Sequence, residues 1–147
     1  MKKAFLFSCL LFLSFLCQAQ NQVNWTYEFK KSESSDSGSL IIKAQMEGNW
    51  AIYSQHTEEG GPIPTIFDFH EKEGYKLIGE VKEISEPIKS FSEMFEIDVI
   101  KYKHEAIFEQ KVQNVRKGAI IIGSVTFMTC NDEKCLPPKE IRFEVKT

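Results

Sequence analysis

The sequence has 147 residues, of which 42% are hydrophobic and 27% charged, a composition typical of one compact globular domain and not of a disordered or fibrous chain. The 18 basic and 21 acidic residues give a formal net charge of −3. Contacts to phosphates need clustered Lys and Arg side chains, so this balance argues against nucleic acid as a partner.

Residues 1–19 have the features of a secretory signal peptide. Lys2 and Lys3 form a basic start, the stretch from Ala4 to Cys17 is apolar, and Cys17-Gln18-Ala19 is a small-x-small cleavage site. We therefore predict cleavage near Ala19 and one exported domain over 20–147. That domain has 16 basic and 21 acidic residues, a formal charge of −5.

Two alternatives would keep the chain on a membrane. The apolar stretch is shorter than the roughly 20 residues that span a bilayer, which argues against an uncleaved anchor. Lipid attachment at Cys17 is disfavoured because lipoprotein signals place a small residue before the cysteine, and Leu16 stands there. No other apolar run approaches spanning length, so we expect no membrane span after signal cleavage.

Most of the remaining chain has the pattern of β-strands with one buried face. The alternating positions are Val23, Trp25, Tyr27 and Phe29; Leu40, Ile42, Ala44 and Met46; Tyr102, His104, Ala106, Phe108 and Val112; and Ile141, Phe143 and Val145. The stretch from Ala119 to Phe127 is apolar on both parities, which predicts a central strand. No window of ten residues keeps helical periodicity without a Gly or Pro, so little helix is expected.

The predicted fold is all-β, an antiparallel β-sandwich of seven to nine short strands. Its turns are expected at Gly48, Gly60-Gly61, Gly74, Gly79 and Lys117-Gly118.

Two segments interrupt the strand pattern. Glycines and prolines from His56 to Pro64 predict an irregular connection across one end of the sandwich. The segment from Glu86 to Phe95 carries Phe91, Met94 and Phe95 without alternation. These three side chains either tuck under the loop as packing or cover a site.

Signal cleavage would remove Cys9 and Cys17 and leave Cys130 and Cys135, an even pair in a compartment that permits disulfides. Closing so short a loop stabilises the fold by only about 2 kcal/mol, so stability alone explains the pair poorly. Four residues separate the cysteines and no helix begins there, so a strongly acidified thiolate is not expected. The spacing leaves three alternatives open: a structural disulfide, a redox-active pair and a metal site.

A metal site is the weakest of these alternatives, because zinc needs two further ligands. His56, His70 and His104 have no second ligand at motif spacing. The sequence also has no Gly-x-Ser-x-Gly, phosphate-binding loop or His-Glu-x-x-His signature. We therefore predict neither a metal nor another cofactor.

Three blocks carry a family resemblance. They are Gly48-Asn49-Trp50-Ala51-Ile52-Tyr53-Ser54-Gln55, Gly-Gly-Pro-Ile-Pro-Thr at 60–65, and Cys130 to Cys135 followed by Leu136-Pro137-Pro138. In this order they resemble the N-terminal domain of the periplasmic thiol:disulfide interchange protein DsbD, in a stand-alone form common among Bacteroidetes. The resemblance covers the whole predicted mature chain.

The resemblance implies a periplasmic, immunoglobulin-like domain whose cysteine pair relays electrons between thioredoxin-like proteins and periplasmic disulfide oxidoreductases. It implies that Cys135 forms the mixed disulfide with partners and that Cys130 resolves it. It also implies an aromatic cap over the pair, for which Phe95 is the first candidate and Phe91 the second. Trp50 and Tyr53 would line the same region.

Two departures limit what the resemblance implies. The enterobacterial form has five residues between its cysteines and a carboxylate pair before the cap aromatic, whereas this chain has four residues and only Glu93 near the second feature. The membrane-embedded and thioredoxin-like domains of the full-length family protein are not in this sequence, so we expect electrons to come from a separate protein. The competing hypothesis is a non-catalytic exported binding module with a structural disulfide.

Overall fold

The computed structural model describes residues 21–33, 36–70 and 73–147, so the predicted signal peptide and its two cysteines lie outside the described residues. The described residues form strands and no helix. The strands are β1 (Val23–Lys31), β2 (Gly38–Met46), β3 (Ala51–Tyr53), β4 (Ile66–His70), β5 (Lys76–Glu83), β6 (Ile88–Ser92), β7 (Ile97–Lys103), β8 (Glu105–Gln113), β9 (Ile120–Phe127), β10 (Thr129–Cys130) and β11 (Lys139–Lys146).

The strands form three sheets in which every pairing is antiparallel, with the orders β1-β2-β8-β5, β10-β3-β7-β6 and β11-β9-β4. Only Met128 separates β9 from β10, so the second and third sheets meet there. β9 pairs on both sides, which confirms the central strand that its apolar pattern predicts. The all-β antiparallel prediction is therefore confirmed.

The main hydrophobic core takes side chains from all three sheets. Leu40, Ile42 and Phe108 of the first sheet are fully buried, as is Val125 of the third. Trp25 of β1 packs against the core, and its ring lies 5.2 Å from that of Phe127 on β9. The alternating residues of β1 and β2 thus face the opposing layer, as expected for a sandwich.

The predicted number of seven to nine strands is wrong, because the described residues contain eleven. β3 and β10 have three and two residues, too few for a periodic signal. The run from Tyr102 to Val112 is two strands, not one. His104 adopts a positive φ of 66° between them, and the chain leaves the second sheet for the first at that point.

Most of the expected turns are present, but Gly79 lies inside β5. Its φ is +64°, and the pairing with β8 shifts register between Ile78 and Lys82. Gly79 therefore lies in an irregular part of the strand, where glycine tolerates the left-handed backbone.

The two interrupting segments behave differently. Residues 56–64 contain no strand, as expected. Within 86–95, however, Ile88–Ser92 is the edge strand β6, which forms a hairpin with β7. The hairpin turn is residues 93–96, and Glu96 has a φ of 57°.

The carboxylate of Glu83 connects the end of β5 to the end of β3. It accepts hydrogen bonds from the Ser54 hydroxyl at 2.9 and 3.0 Å, from the Gln55 backbone N–H at 2.7 Å and from the Tyr102 hydroxyl at 2.6 Å. Burial, helped by the hydrogen bond and negative charge of Glu83, raises the pKa of Tyr102 above its usual value. The tyrosine therefore stays a neutral donor, and the network holds the chain just after Tyr53.

We expect Glu83→Ala to lower the free energy of unfolding by about 1–3 kcal/mol, because three donors lose their acceptor together. Urea unfolding measures the change. Glu80→Ala is the matched control: Glu80 lies on the same strand, its side chain is exposed, and its replacement should change stability by no more than about 0.5 kcal/mol. Equal losses in the two variants would contradict the bridging role of Glu83.

Candidate functional site

Cys130 is positioned by the two-residue strand β10. β10 pairs with β3, with Thr129 opposite Ile52 and Cys130 opposite Ala51. The buried Thr129 hydroxyl donates a hydrogen bond of 2.8 Å to the carbonyl of Ala51. Side chain and backbone therefore both fix the position of Cys130 in the second sheet.

The four residues between the cysteines form a tight turn. The Asn131 N–H donates to the Lys134 carbonyl at 2.9 Å, and the Asn131 side-chain oxygen accepts from the N–H groups of Glu133 and Lys134 at 3.0 and 2.8 Å. Beyond the turn, the Leu136 N–H donates to the Thr129 carbonyl at 2.9 Å. An asparagine that caps its own turn is a common way to reverse the chain, and here it brings the cysteines opposite each other.

Cys130 and Cys135 form a disulfide with a Cα–Cα distance of 4.0 Å. The two residues differ in exposure: Cys130 is 4% exposed, whereas Cys135 is only partly buried. A nucleophile arriving from solvent therefore meets Cys135 first.

A small hydrophobic cluster, separate from the main core, surrounds the disulfide. Its buried members are Tyr53, Val99 and Cys130, and the partly buried residues packed against them are Phe95, Ile97, Met128 and Cys135. The ring of Phe95 meets that of Tyr53 edge-on, with centroids 6.3 Å apart. Burial raises the pKa of Tyr53, so the ring stays neutral beside the disulfide.

The turn of the β6–β7 hairpin, residues 93–96, lies over this cluster; we call it the hairpin tip. The thioether sulfur of Met94 is 3.3 Å from the Cys135 sulfur. Neither sulfur carries a hydrogen in the disulfide form, so this is a nonpolar contact. Met94 is nevertheless 50% exposed.

The structure brings together some of the residues that the sequence singles out. Phe95 and Tyr53 lie with Cys130 and Cys135 in the disulfide cluster. Phe91, on β6, is 62% exposed, and Trp50 packs against the main core.

Met94, Val99, Ile97 and Met128 are site residues that sequence analysis does not assign, and Met94 is the one that contacts the Cys135 sulfur. The pattern marks it as one of three large apolar residues in the segment, but a turn has no periodicity from which to infer which side chain contacts a sulfur.

The charged residues around the site are Glu93 and Glu96 of the hairpin tip, Asp132, Glu133 and Lys134 of the turn, and the partly exposed Lys103. Lys103 and Asp132 form an ion pair at 3.8 Å, which contributes little because both side chains are partly or largely exposed. Within 21–33, 36–70 and 73–147 no three His, Cys, Asp or Glu side chains are grouped as metal ligands would be. The chemistry that the arrangement offers is exchange at the disulfide.

The fold and the site together define a β-sandwich domain with a short-range disulfide covered by a hairpin. The family model for "Thiol:disulfide interchange protein DsbD, N-terminal" matches residues 18–147. The chain belongs to this family of thiol:disulfide interchange domains. No curated protein sequence matches it significantly.

Solved structures agree on the fold. The N-terminal periplasmic domain of ScsB from Proteus mirabilis has a TM-score of 0.63 at 16% identity, over 84% of this chain and 46% of that one. The reduced DsbD N-terminal domain from Neisseria meningitidis has a TM-score of 0.58 at 15% identity, over 84% of this chain and 85% of that one. A chain from the complex of the DsbD and PilB N-terminal domains, also from N. meningitidis, has a TM-score of 0.53 at 14% identity, over 82% of this chain and 80% of that one. The chain spans under half of the ScsB chain and most of the DsbD domain. The similarity to the DsbD domain confirms the predicted immunoglobulin-like fold.

In the part of the chain that the structure describes, no helix has the length and apolar character needed to cross a bilayer.

We expect Phe95→Ala to speed alkylation of the reduced cysteine pair by a small reagent such as iodoacetamide, because Phe95 packs against the cluster that holds both sulfurs. The loss of stability should stay below the roughly 3–5 kcal/mol of a truncated core aromatic. Phe91→Ala is the matched control, since Phe91 is on the same hairpin and largely exposed, and its alkylation rate should not change. An unchanged rate for Phe95→Ala with a core-sized stability loss would show that Phe95 is only packing.

Proposed function

We propose that this chain is a periplasmic thiol:disulfide relay domain in which Cys135 exchanges with partners and Cys130 resolves the mixed disulfide. The observation that carries the proposal is the unequal burial of two bonded cysteines in a family of interchange domains. Cys130 is almost fully buried, with its backbone paired to β3, while Cys135 is partly exposed at the hairpin tip.

Thiol–disulfide exchange requires an approach to one sulfur while the other leaves. Reduction of the domain starts from its disulfide form. A partner thiolate attacks the Cys135 sulfur, the Cys130–Cys135 bond breaks, and Cys130 leaves as a thiolate that takes up a proton. The second thiol of the partner then attacks the mixed disulfide and releases Cys135. Two electrons and two protons have moved from the partner to this domain.

Electron delivery reverses these roles. The Cys135 thiolate attacks the disulfide of an acceptor and forms a mixed disulfide with it. Cys130 then attacks Cys135, releases the acceptor in its dithiol form and regenerates the disulfide. Because the backbone of Cys130 is fixed opposite Ala51, its sulfur needs little movement to reach Cys135.

The proposed partners are thioredoxin-like proteins and periplasmic disulfide oxidoreductases. The supporting comparison is a similar DsbD domain in complex with the PilB N-terminal domain. The periplasmic location is supported by the description of the ScsB domain as periplasmic and by the signal-peptide features of residues 1–19.

The hairpin tip would act as the cap. Its two contacts at the site, Phe95 on the cluster and Met94 on the Cys135 sulfur, restrict access in the resting disulfide. A partner must displace the tip before its thiolate can reach Cys135. Gating by a small loop is a common way to limit access to a reactive centre.

Serine variants test the assignment of roles. We expect Cys130→Ser to react rapidly with a thioredoxin-like protein that carries an activated disulfide and has no resolving cysteine of its own, and to form a stable mixed disulfide through Cys135. Cys135→Ser should react far more slowly, because its remaining thiol is buried. The activated disulfide joins the partner's cysteine to a small chromogenic thiol, and the absorbance of the released thiol gives both rates. Mass spectrometry identifies the cysteine of this domain that is linked to the partner.

Both variants should remain folded, since loss of the short disulfide loop costs only about 2 kcal/mol. Faster trapping by Cys135→Ser would reverse the roles. Trapping by neither folded variant would contradict the relay and favour a structural disulfide.

A further inference from the structure

The site contains a third sulfur whose chemistry differs from that of the cysteines. Met94 lies in the hairpin tip with its sulfur 3.3 Å from that of Cys135 and half of its surface in solvent. The Met94 side chain therefore contacts the disulfide through its sulfur, while half of the residue is open to solvent.

The remaining methionines of the described residues are less accessible. Met46 is 5% exposed in the main core, and Met128 is partly buried against the disulfide cluster. Oxidation of a methionine depends on access of the oxidant to its sulfur. Among these three residues Met94 is the one most open to an oxidant, and it is also the one that contacts Cys135.

We propose that Met94 is an oxidation site that controls access to the disulfide. A hydroperoxide transfers one oxygen atom to the Met94 sulfur: the O–O bond breaks, an S–O bond forms, the thioether loses two electrons, and the peroxide is reduced to water or an alcohol. The role of this modification in electron relay rests on the function proposed above. The modification itself does not.

The sulfoxide changes the contact with Cys135. A thioether is weakly polar and packs well against another sulfur, whereas a sulfoxide oxygen is a strong hydrogen-bond acceptor that is better solvated by water than packed on a disulfide. Because Met94 is already half exposed, its side chain can turn into solvent without breaking the core. The Cys135 sulfur then loses part of its cover while Phe95 remains on the cluster.

The disulfide form is the state in which this reaction is selective. A thiolate is the species that peroxide attacks on cysteine, and a disulfide has none. Met94 is then the exposed sulfur that remains oxidisable. An oxidising environment would thus mark the domain at Met94 and make its disulfide easier to reduce.

The test uses the purified disulfide-form domain, treated with limiting hydrogen peroxide and then freed of it. Peptide mapping should find the added oxygen first on Met94, ahead of Met46 and Met128. Reduction of the disulfide by a small phosphine should become faster by about two- to tenfold, because the rate of exchange at a disulfide depends on access to the attacked sulfur. Methionine sulfoxide reductase, added already reduced in stoichiometric excess and without a recycling dithiol so that its own thiols supply the two electrons, should return the rate to its starting value.

Met94→Leu supplies the decisive variant, because leucine has a similar volume and cannot be oxidised. Its reduction rate should be the same before and after peroxide. Met128→Leu is the matched control and should keep the acceleration. Preferential oxidation of another methionine, no change in the wild-type rate, or acceleration that persists in Met94→Leu would each overturn the proposal.

Failure of the relay would be distinguishable from these results. Phosphine reduction needs no protein partner, so it reports access to the disulfide alone. Exchange of the untreated domain with a thioredoxin-like protein is measured separately.

Discussion

The pairing of Thr129 and Cys130 with β3 is the interaction on which the site depends. Two residues of strand, reinforced by the hydrogen bond from the Thr129 hydroxyl to the Ala51 carbonyl, hold one cysteine in the sheet. The asparagine-capped turn then returns the chain so that the second cysteine stands opposite the first. The result is a disulfide between one nearly fully buried cysteine and one partly exposed cysteine. The proposed order of exchange rests on this asymmetry.

The surroundings of Cys130 and Cys135 limit the access of reagents to their sulfurs and, in the part of the chain that the structure describes, offer no helix N-terminus or buried charge to lower a thiol pKa. Neither cysteine begins a helix within the described residues, and the nearby ion pair is exposed. What surrounds the disulfide is apolar: Tyr53 and Val99 beneath it, with Phe95 and Met94 from the hairpin. The hairpin is joined to the sheet by β6, an edge strand that pairs on one side only, so the proposed displacement of its tip requires no break in the pairing of β3 with β7. The Glu83 network fixes the chain just after Tyr53, which belongs to the cluster around the disulfide.

Sequence analysis recovers what depends on local periodicity or on spacing. The alternating faces of β1, β2 and β11, the central position of β9 and the proximity of Cys130 to Cys135 all follow from such signals. It fails where position depends on tertiary contact. His104 continues the alternation of its neighbours, so the change of sheet at that residue leaves no trace in the pattern. The choice among Phe91, Met94 and Phe95 depends on the hairpin register that places Phe91 opposite Asp98, and a non-alternating segment does not encode that register.

The central claim is that the Cys130–Cys135 disulfide is redox-active and not a structural staple, and its reduction potential tests this most directly. Equilibration of the purified domain with glutathione or thioredoxin redox buffers, followed by alkylation and mass spectrometry, gives the potential. A labile bond in a six-residue loop should have a potential above about −300 mV, within reach of thioredoxin-like donors. A value well below about −300 mV, the range of structural bridges in secreted proteins, would contradict the account.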